Sequence, residues 1–97
     1  MKVYLIINDY RNDEESSLEI TAYATRELAE ANIKPMIDDE VSQQVENGVI
    51  ELVNGNYQAV YNKETSTVEI TNAKLYIDNG WGLVDEIFIR ELEVKGE

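Results

Sequence analysis

The sequence predicts an α+β fold: a mostly antiparallel sheet with one broken helical segment, about residues 26–46, packed on one face. Three observations carry this expectation. The chain opens on Val3-Tyr4-Leu5-Ile6-Ile7, an unbroken apolar run bounded by Lys2 and by Asn8-Asp9. An alternating strand has one wet face, whereas an unbroken one expects cover on both, so this run reads as a central strand. Residues 26–46 contain runs of good helix formers such as Glu27-Leu28-Ala29-Glu30-Ala31. From Val49 onward, apolar and polar residues alternate between turn signals, the pattern of short strands.

Taken in order, Asn8 to Ser17 is polar and charged and reads as a mobile loop. Leu18, Ile20, Ala22 and Ala24 alternate with Glu19, Thr21 and Tyr23. That is a half-buried strand whose small inner face would let a helix approach closely, paired with the first strand as a hairpin. Thr25 is a good N-cap for a helix starting at Arg26, and Glu27 sits at the positive end of its dipole.

Pro35 interrupts this helix, and a proline inside a helix costs about 3 kcal/mol. On one straight helix Glu40 would also fall beside Met36 and Ile37 in the apolar stripe, an expensive place for a carboxylate without a partner. The expectation is therefore two helical pieces, about 26–33 and 35–46, the second turning Ile37, Val41 and Val45 inward. Asn47-Gly48 supplies the C-cap.

Val49 to Val53 reads as a strand, and Asn54-Gly55 as a type I′ hairpin turn. Tyr57, Ala59 and Tyr61 continue the alternation, Asn62 to Thr65 forms the next turn, and Val68 and Ile70 face inward. Inward parity then switches to Ala73, Leu75 and Ile77, which calls for a bulge or bend near Thr71-Asn72. Asp78-Asn79-Gly80 is another turn signal. Residues 87–94 form the last strand, and their charges suggest a sheet edge.

A chain of 97 residues is one domain, 1–97. Its 20 acidic and 8 basic residues give a formal charge of −12. That charge disfavours nucleic-acid phosphates and anionic membranes as direct partners. It suits either simple solubility or docking on a basic partner protein. Cysteine and histidine are both absent, which removes thiolate chemistry and the commonest general base, and a cytoplasmic location is expected. The opening apolar run is too short for a signal peptide, and no stretch approaches the roughly 18 apolar residues of a membrane span.

No catalytic, cofactor-binding or metal-ligating residue is assigned. The candidate interaction residues are Asp13, Glu14, Glu15, Asp38, Asp39, Glu40 and Trp81. The first six form two acidic clusters, and residues 9–51 hold 12 acidic against 3 basic residues, a net of −9. Such clusters could hold a divalent cation, but the calcium-loop pattern fails because Arg11 and Glu14 occupy the third and sixth positions from Asp9. Asp38-Asp39-Glu40 also reads as the first-turn acids of the second helical piece. Trp81 lies between Gly80 and Gly82 on a turn. It is either an anchor for a partner or a ring folded back over one end of the core. Asp85-Glu86 is a poor acid/base pair, because neighbours on a strand point to opposite faces.

The opening Met1-Lys2-Val3-Tyr4-Leu5-Ile6-Ile7, the strand ending in Ala24-Thr25, and the helix start Thr25-Arg26-Glu27-Leu28-Ala29-Glu30-Ala31 carry a resemblance. They resemble small uncharacterised proteins of Gram-positive bacteria and their phages, in which a strand pair leads to a Ser/Thr-capped helix and a strand closes the chain. The resemblance implies this order of elements and no particular activity. The function expected is a non-enzymatic acidic interaction or regulatory protein that binds a basic partner, with a phage or mobile element as its expected source. The alternatives are a self-associating structural domain, pairing as a homodimer, and a divalent-cation-binding domain.

Overall fold

The computed structural model describes residues 1–95. Eight elements follow in the order β1 (Lys2–Arg11), β2 (Ser16–Tyr23), α1 (Arg26–Glu46), β3 (Ile50–Val53), β4 (Asn56–Ala59), β5 (Thr67–Ile70), β6 (Lys74–Asp78) and β7 (Val84–Glu93). Five strands make one antiparallel sheet in the order β2-β1-β7-β6-β5, and β3-β4 form a separate hairpin. The helix lies on one face of the large sheet. The α+β class and the helix across 26–46 are as the sequence predicts.

The helix is not broken. One α-helix runs from Arg26 to Glu46 with Pro35 inside it. Proline removes the bond to the carbonyl of Ala31, but both residues are exposed, so water can satisfy that carbonyl. Magnitudes decide the outcome. The proline costs about 3 kcal/mol, whereas each isoleucine fully buried gains about 1.5–3 kcal/mol. A continuous helix buries Ile33, Ile37 and Val41 in one stripe across the proline. Gln44, not Val45, takes the next inward position. Asp38, Asp39 and Glu40 are therefore mid-helix residues rather than first-turn acids, and Lys34 pairs with Asp38 at 2.9 Å. Thr25 caps the N-terminus by accepting from the Leu28 N–H at 3.2 Å, and Asn47 caps the other end. Pro35→Ala is expected to raise stability by about 1–3 kcal/mol. Urea unfolding measures it, and a loss of stability would mean that the proline sets the helix's seat on the sheet.

The loop between β1 and β2 is short, not long and mobile. β1 extends to Arg11 and β2 starts at Ser16. Asn12 ties the turn by accepting the Glu14 and Glu15 N–H groups at 2.8 and 2.7 Å. This fixes the register at Ile6 opposite Thr21 and Ile7 opposite Ile20. Because Ile6 faces the helix, the odd residues of β2 do so too, and Leu18, Ile20 and Ala22 turn away from it. The small inner face expected of β2 is thus on the opposite side.

β7, expected at an edge, is the central strand. It pairs with β1 over its whole length, from Lys2 opposite Glu93 to Arg11 opposite Val84, and with β6 on its other side. β1 is second in the order, flanked by β2 and β7. The parity switch near Thr71-Asn72 is a hairpin turn and needs no bulge. Ile70 pairs with Leu75 and Val68 with Ile77, and the Thr71 N–H donates to the Lys74 carbonyl at 2.8 Å. The Asn54-Gly55 turn has positive φ at both residues, 52° and 84°, as a type I′ turn requires. The core is Ile6, Leu75, Ile77 and Ile87 from the sheet, Ala29, Ile33, Ile37 and Val41 from the helix, and Ile50.

Candidate functional site: an acidic loop end around Trp81

Where β1 meets β7 at Arg11–Val84, four loops converge at one end of the sheet. They are residues 12–15, 47–49, 60–66 and 79–83. Asn79 shapes the last of them by accepting from the Trp81 N–H at 2.8 Å and the Leu83 N–H at 3.0 Å. Gly80 and Gly82 both take positive φ, 73° and 95°. A Cβ at Gly80 would come within 2.6 Å of the Thr65 hydroxyl, and one at Gly82 would meet the Asp13 carboxylate. The glycines thus let this loop lie against the loops on either side.

The result is an outward Trp81, 79% exposed. Its ring does not fold back over the core. On one side it borders a hollow of about 240 Å³ shared with Asp13 and Glu14. On the other it borders a hollow of about 210 Å³ shared with Tyr61, itself 73% exposed, and with Asn47 and Gly48 at the helix C-terminus. No basic side chain lies in the last helical turn, so the negative end of the dipole is left without a cationic neighbour there. The alternation of Tyr57, Ala59 and Tyr61 reads Tyr61 as a strand residue. The β4 strand stops at Ala59, which frees it.

The other candidates divide between two places. Glu15 and Glu40 line a cleft of about 300 Å³ between the β1–β2 hairpin and the second half of the helix, together with Asn8, Tyr10 and Gln44. Asp38 and Asp39 border a shallow surface hollow beside Pro35 and Met36. The seven residues therefore form three groups, and the structure joins Trp81 only to Asp13 and Glu14. Among the described residues no cluster of three or more carboxylates converges as a metal site.

Beneath the Glu40 cleft lies an arrangement that sequence reasoning did not find. Asp85 is fully buried, and Glu86 points to the other face, as adjacent strand residues must. Gln44 donates from Nε2 to Asp85 Oδ2 at 3.1 Å and to Glu40 Oε2 at 3.0 Å. Burial, then the hydrogen bond and negative charge of Glu40, push the Asp85 carboxyl up to about 8, while the Gln44 donor pulls the other way. Asp85 therefore holds its proton at neutral pH. Glu40 is half-buried, opens on the cleft and accepts from Gln44, which is how the helix tolerates it beside its apolar stripe. The pair lies 45 residues apart in sequence, and the signal for it was an acid, Asp85, in step with the inward Ile87 and Ile89 of the last strand.

Among the described residues no helix is long and apolar enough to cross a membrane. No protein-family model, curated protein or solved structure matches the chain.

Proposed function

We propose that this protein is a non-enzymatic, acidic interaction protein that docks on a basic partner protein, with the loop end around Trp81 taking an arginine or lysine side chain of that partner. The observation that carries this reading is the exposed Trp81 ring set between the Asp13 and Glu14 carboxylates and Tyr61. A cation over an indole face gains about 0.5–1 kcal/mol when exposed and about 2 when desolvated. Neighbouring carboxylates neutralise the same cation, and the net charge of −12 draws it in from solution. The lack of cysteine suits the reducing cytoplasm, and the resemblance of residues 1–31 suits a prophage or mobile-element origin.

Trp81 is the chain's single tryptophan, so its fluorescence reports the site directly. Titration with a deca-arginine peptide is expected to change that emission, with affinity falling steeply as salt rises. Asp13→Asn with Glu14→Gln is expected to weaken binding several-fold. Trp81→Ala, followed by calorimetry, is expected to weaken it about tenfold or more, as loss of an aromatic anchor does. Binding that ignores salt, or that is unchanged in both variants, would overturn the reading.

A further inference from the structure

We propose that two copies of this chain pair face to face through the outer side of the five-stranded sheet. The register gives that side its residues: Val3, Leu5 and Ile7 on β1, Leu18 and Ile20 on β2, and Phe88 on β7 all point away from the helix. None of these six belongs to the core or packs against it. Leu18 and Ile20 are 62% and 56% exposed. The unbroken run Val3 to Ile7 is that of a strand covered on both faces, and the helix covers only one. A patch of this kind on a single chain marks an interaction surface.

Size and charge choose the occupant. Strands about 4.8 Å apart rising about 3.3 Å per residue make the face roughly 24 Å wide and up to about 33 Å long. Because β2, β6 and β5 are shorter than β1 and β7, the footprint is about 590 Å², roughly three quarters of the ~800 Å² per partner of a standard interface. Four acidic residues (Asp9, Glu69, Asp78, Glu86) and three basic ones (Arg11, Lys74, Arg90) point outward here, so this face holds only −1 of the −12. Asp9 pairs with Arg11 at 3.6 Å and Glu69 with Lys74 at 3.7 Å, which quenches much of the rest. A basic partner would be drawn to the other surfaces, which carry the remaining −11. A second acidic copy meets the least repulsion on this face.

The face is also self-complementary. Glu86 and Arg90 flank Phe88 on β7, two residues to either side and on the same face. A two-fold axis through Phe88, with the two β7 strands antiparallel, sets Phe88 on Phe88 and each Arg90 over Glu86 of the other copy. Aligned sheets pack about 10 Å apart and cross at about −30°.

Sedimentation of the full chain from about 1 to 500 μM tests this at near-physiological salt. Wild type is expected to move to twice its 11.1 kDa mass as concentration rises. Ile20→Lys, at an exposed position, is expected to keep the helical circular-dichroism signal and weaken pairing at least tenfold. Arg90→Glu is expected to weaken it, and Arg90→Glu with Glu86→Arg to restore it. A monomer throughout would overturn the proposal. So would a dimer that Ile20→Lys leaves intact, which would place pairing elsewhere, such as the β2 edge.

Discussion

Asp85→Asn is expected to flatten the pH dependence of stability and to strengthen the fold most in mild alkali. The Asp85 carboxyl is raised from 3.8 to about 8 in the folded chain. Between those values the folded state holds a proton that the unfolded state has lost. This group's contribution is therefore fully present below about pH 4, and it is lost as pH rises through 8. The slope for one proton is about 1.4 kcal/mol per pH unit. Asparagine keeps the shape, can still accept from Gln44, and never ionises. The variant should match wild type near pH 4 and exceed it by several kcal/mol at pH 8. Denaturant unfolding from pH 4 to 8 measures this. An unchanged slope, or an equal loss at every pH, would mean that Asp85 is already ionised in the folded chain.

Ile33→Ala is expected to cost about 2–5 kcal/mol. Ile33 is fully buried at the middle of the helix stripe and has no route to water that could relax a cavity. For a small domain that is a large part of the typical 5–15 kcal/mol total. The loss should appear as a lower denaturation midpoint that does not depend on protein concentration. Ile20→Ala on the open sheet face gives the contrast: little effect in dilute monomer, and a concentration-dependent one where copies pair. Equal losses at both positions would mean that the two sheet faces are buried alike.

Local chemistry announced the punctuation of this chain. Thr25 and Asn47 as helix caps, Asn54-Gly55 as a primed turn, and Asp78-Asn79-Gly80 as a loop each depend on residues within four positions of one another, and each stands where the sequence predicts it. Errors arose where a local cost was outweighed at a distance. Pro35 reads as a break, but the sheet beneath it rewards one continuous stripe of Ile33, Ile37 and Val41. β7 reads as an edge from its charges, but its ten-residue match to β1 places it at the centre.

The candidate site divides the same way. Asp13, Glu14 and Trp81 were visible as residue types, and their meeting was not. Turn geometry brings together loops that are more than 60 positions apart in the chain. Gln44 bridges Asp85 and Glu40 only because strand and helix cross there. By itself the sequence determined the α+β class, the capped helix, the turns and the strong negative charge, since all follow from composition or short-range backbone preference. Tertiary structure alone decided strand order, which face of each strand meets the helix, the exposure of Trp81 and the protonation of Asp85. Each of these depends on burial and electrostatics between segments far apart in the chain, and those energies exceed the local preferences they override.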